Sequence, residues 1–288
     1  MTWASRCGSG HSSSDVRRHL ALVVAAVALL GCTPGPADRE VPARASDPTF
    51  LTITNDPLGP LLLGSTGGGF TSRDAGRSWQ PLPPARVPAL AQAETHRGVL
   101  VSLGPQWIEY DLALEREVTP VTRWPGDRRI VALAASATLK TVWALATGPE
   151  PRMLRSRDEG ATWTEIVPTG LCRQPRGLAA TGPREDGKAL LYAACGPRGL
   201  LVSDNGGLSF ERVPGIRNAR DVAVCLRDPL VVVVATPLVR VSRDGGRTWI
   251  DGRVVADRVA VDPRNPDLVF AIAPNGRLFA SKDGGRTF

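Results

Sequence analysis

Arginine carries the clearest chemical pattern in this chain. It opens five short apolar runs: Arg86-Val-Pro-Ala89, Arg129-Ile-Val-Ala132, Arg176-Gly-Leu-Ala179, Arg220-Asp-Val-Ala223 and Arg258-Val-Ala-Val261. A guanidinium is a rigid fork of donors that matches the oxygens of a carboxylate, phosphate or sulfate. If the five runs are equivalent strands of one ring, Arg86, Arg129, Arg176, Arg220 and Arg258 surround one mouth and form a ligand site for an anion. Arg128, Arg173 and Arg217 stand beside it. A compositional reading competes. Only Lys140, Lys188 and Lys282 are lysines among 35 basic residues, so arginine also stands wherever a strand meets solvent.

Other chemistries find little material. His11 and His19 lie in an N-terminal leader, which leaves His96 alone. One histidine supports neither a His-based metal centre nor a Ser-His-Asp triad. No glycine loop follows a strand and opens a helix, so no phosphate-bearing cofactor is expected. The reading is therefore no catalytic residue, no metal and no cofactor. Hydrolysis of a glycosidic bond needs two carboxylates facing each other across a cleft. Asp127, Glu150, Asp221 and Asp257 lie in or beside loops on the arginine side, but their spacing does not pair them. The formal net charge of +7 favours anionic surfaces. No basic run is interleaved with aromatics, which excludes nucleic acid as the expected partner.

A repeated turn must position these residues. It reads Ser72-Arg-Asp74-Ala-Gly76-Arg-Ser78-Trp79, Ser156-Arg-Asp158-Glu-Gly160-Ala-Thr162-Trp163, Ser203-Asp-Asn205-Gly-Gly207-Leu-Ser209-Phe210, Ser242-Arg-Asp244-Gly-Gly246-Arg-Thr248-Trp249 and Ser281-Lys-Asp283-Gly-Gly285-Arg-Thr287-Phe288. A carboxylate or amide two residues past the serine can collect backbone N–H groups of the turn. The glycine supplies the positive φ of a tight hairpin, and the aromatic plugs into the core beneath it. The serines are 84, 47, 39 and 39 residues apart, so the first gap holds an eroded copy near Asp111-Leu-Ala-Leu-Glu115. A period near 40 residues, with period-2 apolar runs between Gly-rich turns, predicts an all-β chain folded as a single β-propeller. Its four-stranded blades number six by strand count, or seven if a further copy is hidden. Because a box ends at Phe288, the last blade is completed by an N-terminal strand from Glu40–Ala45, left short, or cut off by the end of the reading frame.

The turn resembles the Asp-box, or BNR repeat, and residues 47–288 resemble the WD40/YVTN/BNR-like propellers. That group includes sialidases, sortilin-type receptors, xyloglucanases and photosystem II assembly factors. The resemblance implies boxes between the third and fourth strands of a blade, on the face away from the ligand. The sialidase pattern is incomplete here. Arg-Ile-Pro is missing, and the only tyrosines, Tyr110 and Tyr192, lie beside the eroded turn and inside an apolar run. Short loops also disfavour the enzyme branches. The expected function is a binding or assembly scaffold for an anionic partner, protein or glycan. The alternative is a sialidase-like glycoside hydrolase acting on anionic glycans.

The leader bounds the compartment. Arg17, Arg18 and His19 precede the apolar run Leu20–Leu30, and Leu29-Leu30-Gly31-Cys32 resembles a bacterial lipobox. The apolar run is too short to span a bilayer. Residues 1–31 are read as a lipoprotein signal peptide with Cys32 as the lipidation site. Residues 32–48 are a tether rich in proline and charge, and residues 49–288 are the propeller. The domain is thus expected in the bacterial cell envelope, outside the cytoplasm, as a monomer that touches a membrane only through its anchor. In that oxidising setting Cys172 and Cys195 fall where neighbouring antiparallel strands can bring them together. A disulfide and a pair of small buried hydrophobes both suit that placement.

Overall fold

Short runs of Val, Leu, Ile and Ala alternate with Gly-rich turns, and each run forms a strand of 2–7 residues. The computed structural model describes residues 41–42, 47–54, 60–82, 89–95, 98–103, 105–111, 116–117, 122–127, 129–146, 148 and 150–288, all within one unit, Asp38–Phe288. The leader, Cys32, Arg86, Arg128 and His96 lie outside the described residues. No α-helix occurs among the described residues, and the two 3-10 turns are Pro125–Asp127 and Ala137–Leu139.

The strands form six antiparallel blades. The first contains Pro48–Ile53, Leu61–Ser65, Gly68–Ser72 and Gln80–Leu82. The second contains Ala91–Glu94, Val99–Ser102 and Gln106–Asp111, and its outer edge is split into Arg116–Glu117 and Thr122–Arg123. The third is Ile130–Ser136, Thr141–Ala146, Arg152–Ser156 and Thr164–Ile166. Gly177–Ala180, Leu191–Ala194, Leu200–Ser203 and Glu211–Arg212 make the fourth. The fifth is Asp221–Val224, Val232–Ala235, Val239–Ser242 and Ile250–Asp251. The sixth has three strands, Arg258–Val261, Val269–Ile272 and Leu278–Ser281.

The innermost strand of each blade lines a central channel, and the sixth blade packs on the first. Leu51, Ile53, Leu61 and Leu63 share one buried cluster with Phe270, Ile272 and Leu278. The Arg258 Nε donates to the Thr49 carbonyl across the same seam, at 2.8 Å. Six blades therefore close the ring. A borrowed N-terminal strand is represented among the described residues by one contact. The Val41 N–H donates to the Gly276 carbonyl at 3.2 Å, and Val41 packs on the closing cluster. Among the described residues the sixth sheet has three strands, and residues 40 and 43–45 lie outside them.

The inner strand of the second blade is Ala91–Glu94, and Val87 and Pro88 upstream of it lie outside the described residues. The Thr95 N–H donates to the Gly98 carbonyl at 2.8 Å, and Glu94 pairs with Val99.

Each box turn is built by the same local bonds. Ser156 Oγ donates to Asp158 Oδ1 (2.7 Å) and accepts the Gly160 N–H (2.7 Å). The carboxylate then accepts the Thr162 N–H (2.8 Å) and the Thr162 hydroxyl (2.6 Å). Those hydroxyls and that N–H hold the Asp158 carboxyl down at about 2. Asp74, Asp244 and Asp283 repeat the pattern. In the fourth blade Asn205 keeps the accepting Oδ1 and reverses the last bond, its amide donating to Ser209 Oγ at 2.7 Å.

The box glycine and aromatic reach the blade before their own. A Cβ on Gly76 would sit 2.1 Å from Leu278 of the sixth blade, and one on Gly285 would sit 2.7 Å from Val241 of the fifth. Gly160 faces Leu100, Gly207 faces Met153 and Gly246 faces Val213 in the same way. The aromatics follow. Trp163 stacks edge-on against Trp124 at 5.0 Å, and Phe210 is buried with Trp143 and Met153. Trp249 packs on the cluster holding Tyr192, Trp79 on the one holding Phe270, and Phe288 on the one holding Val233. Sequence reasoning placed the aromatics beneath their own hairpins. They are wedges between blades, and all but Phe210 remain part-exposed.

Two substitutions in the first box should separate backbone strain from packing. Gly76→Ala is expected to cost about 2–4 kcal/mol, combining an L residue at positive φ with a clash on Leu278. Ala75 has φ 59° where the last three boxes place glycine. Ala75→Gly is expected to stabilise by up to about 1 kcal/mol. Equilibrium unfolding in denaturant checks both signs.

Candidate anion-binding mouth

The mouth is built where the innermost strands begin. Arg176 N–H donates to the Ala194 carbonyl and Arg220 N–H to the Ala235 carbonyl, so both sit one residue ahead of their strands. In the sixth blade the equivalent bond, to the Ile272 carbonyl, comes from Asp257. Arg258 is therefore offset by one residue and aligns with Asp221 and Gly177, each of which opens the inner strand of its blade. The motif read along the chain slips there because pairing with Ile272, rather than the arginine itself, sets the phase.

The five sequence-predicted arginines do different work. Arg220 Nη1 pairs with Asp257 Oδ1 at 2.6 Å, bridging the fifth and sixth blades. Arg258 spends its guanidinium on the carbonyls of Thr49 and Asp257, both at 2.8 Å. Arg129 is exposed immediately ahead of Ile130 and is itself engaged. Arg86 lies outside the described residues. Arg176 is exposed at the channel lining.

Asp221 sits inside this network. Its Oδ2 accepts the Val259 N–H at 3.1 Å. Enclosure in the channel wall pushes its carboxyl up to about 6, offset in part by the Arg258 charge and by the N–H groups of Val259 and Val222.

A more open cationic surface lies beside Arg176. Three segments meet there: 167–176, the turn 195–199 and 213–220. A bond between Cys172 and Cys195 (Cα–Cα 5.9 Å) staples the first to the second. The Gly196 N–H, donating to the Ala219 carbonyl at 2.7 Å, ties the second to the third. Together they carry Arg173, Arg176, Arg198, Arg217 and Arg220 and no carboxylate. Arg173, Arg176, Arg198 and Arg217 are exposed, and none pairs with a carboxylate among the described residues. Arg198 was missed at the sequence level. Its signal was the short Gly196-Pro-Arg-Gly199 turn directly after Cys195.

The residues considered for enzymatic roles have other occupations. Tyr192 is fully buried, its hydroxyl donates to the Gly245 carbonyl at 3.1 Å, and burial raises its pKa to about 12. Tyr110 is buried as well. Glu150 pairs with Arg152 at 2.8 Å, and Asp257 is held by Arg220. Asp127 ends the Pro125–Asp127 turn. Cys225 is free and buried, its Sγ contacting the carbonyls of Asp262 and Pro263.

No protein-family model matches the chain, and no curated protein matches its sequence. Solved structures do share its fold. The WD40 repeats of RRP9 superpose with a TM-score of 0.60 at 12% identity, over 87% of this chain and 99% of that one. PorZ, a surface component of the type-IX secretion system of Porphyromonas gingivalis, gives 0.57 at 13% identity over 83% of this chain. An ancestral GH74 enzyme gives 0.53 at 17% identity over 84%. The chain spans only 31% and 36% of those last two chains. At such identities the likeness establishes the propeller fold alone.

The Asp221 environment yields a pH test. A carboxyl raised from 3.8 to about 6 binds its proton more tightly when folded, so folding loses stability as pH climbs through that window. Asp221→Asn removes the penalty. It is expected to gain about 1–2 kcal/mol over wild type between pH 4 and pH 7, channel water screening part of the full shift. Denaturant unfolding at the two pH values checks it, and an unchanged difference would refute the assignment.

Proposed function

We propose that this chain is an exported, lipid-anchored propeller that binds an anionic partner, protein or glycan, at the mouth opposite its box turns. It works as a binding or assembly scaffold in the bacterial cell envelope. The observation that carries the reading is the set of three stitched segments holding five arginines and no carboxylate. Four of those guanidiniums have no carboxylate partner among the described residues, so an external one can use them. The five box turns, bonded alike, support membership of the BNR/Asp-box group. The lipobox-like Leu29-Leu30-Gly31-Cys32 supports export and anchoring. The likeness to a bacterial surface component agrees with that setting.

A second reading, hydrolysis of anionic glycans, draws on the likeness to a GH74 enzyme and on Asp221. A carboxyl near 6 in a channel is suited to proton transfer. It requires glycan cleavage that Asp221→Asn abolishes.

Charge reversal decides between mouth and box face. Arg173→Glu with Arg217→Glu is expected to weaken binding of a carboxylate-rich peptide or a sulfated glycan by about tenfold or more. Arg247→Glu with Arg286→Glu, on the box turns, should change it little. Affinity should also fall with salt as distant charges are screened beyond about 8 Å. Equal binding by both double variants would remove the mouth as the site. In cells, Cys32→Ser should move the protein out of the membrane fraction, and retention there would refute the anchor.

A further inference from the structure

A second cationic hollow lies on the box side of the ring, at the seam between the third and fourth blades. It has a volume of about 650 Å³, and its floor includes Leu139, Trp143 and Ala189. Arg155 and Arg157 enter from the third blade and Lys188 from the fourth, with Asp204 the one carboxylate on its wall. Neither arginine nor Lys188 forms an ion pair among the described residues.

The seam is rigid. Trp143 Nε1 donates to the Gly206 carbonyl across it at 3.1 Å. Arg155 spans the same gap, its Nη1 lying 3.0 Å from where a Cβ on Gly206 would stand. Burial, with the Arg157 charge beside it, pushes the Arg155 pKa down. Two like charges are thus held together with no carboxylate bonded to either, while Thr162 and Thr164 line the adjoining space.

An equivalent seam in the same molecule shows what such an arginine takes. Arg157 follows the first serine of its box, as Arg243 does in the fifth blade. Arg243 pairs with Asp267, which lies two residues before the second strand of the sixth blade. The matching position in the fourth blade is Ala189, with Lys188 preceding it. Where one seam supplies its own carboxylate, this one supplies a further cation.

We propose that the hollow formed by Arg155, Arg157 and Lys188 binds a phosphate or sulfate group from solution. Two guanidinium forks and an ammonium satisfy a tetrahedral oxyanion, and the apolar floor leaves room for a small group bearing it. The site is separate from the mouth proposed above, and its test does not depend on that reading.

Inorganic phosphate and inorganic sulfate, titrated separately into the full chain at low ionic strength by calorimetry, test the site. Saturable binding is expected, with a component that variants of the hollow lower, and which of the two anions shows that component more tightly identifies the group. Arg155→Gln with Arg157→Gln should weaken it by about tenfold or more, because both forks are lost. Lys188→Ala, an exposed change that leaves the seam intact, should weaken it by a smaller factor. Arg247→Gln, an exposed change on the box turn of the fifth blade, should leave it unaltered. Thermal melting reports whether the double variant is folded, and the Lys188→Ala result stands if it is not. Absence of saturable binding by either anion would overturn the proposal. So would affinity unchanged in both the double variant and Lys188→Ala, or lost in Arg247→Gln alone.

Discussion

A blade of three or four short strands has two apolar faces and cannot cover both by itself, so each must be sealed by its neighbours. Here the seal is made by the box turn, whose glycine lies against the blade before it. Ser72, Asp74 and Ser78 close the first turn by hydrogen bonds, which aims Gly76 at Leu278 and lets Trp79 settle over the same seam. Five such seams repeat, and the one between first and sixth blades converts a row of sheets into a ring. A side chain at the glycine would hold two blades apart, so this atom-sized allowance governs each of those five seams.

That division explains what could be read from the sequence. The turn's own chemistry is local: Ser, Asp, Gly and Thr lie within seven residues, and their spacing alone implies the bonds that Asp158 and Asp244 make. The apolar runs between these turns gave six blades by strand count, with seven left open. What lay hidden depends on distant partners. That Phe210 serves the third blade, or that Gly285 touches Val241, is settled by packing between repeats 47 and 39 residues apart. The register at Arg258 was also hidden, because an arginine beside Asp257 looks the same one residue earlier or later. Only pairing with Ile272 separates the two.

The candidate mouth was legible as a composition and not as a geometry. Arg220 and Arg258 fit the sequence pattern as well as Arg176 does, yet one neutralises Asp257 and the other caps backbone carbonyls. Both act as mortar between the fifth, sixth and first blades. Those seams border the sixth sheet, which has three strands among the described residues. Arginine placed there secures closure. Arginine on the fourth blade, far from that need, is left for other use.

Rigidity decides whether a cluster of free arginines can act as a site. Long side chains on loose loops lose conformational freedom on binding, which offsets much of the charge attraction. The segments at 167–176, 195–199 and 213–220 are already joined by the Cys172–Cys195 bond and by backbone bonds from Arg176 and Gly196. A crosslink of this kind removes freedom from the unfolded chain, and the restraint also fixes the loops in the folded state. The backbone under Arg173, Arg176, Arg198 and Arg217 is therefore set before any partner arrives, and only the side chains remain to be ordered. The disulfide would then serve recognition as much as stability. Reduction should weaken binding to anions more than the loss of folded protein accounts for.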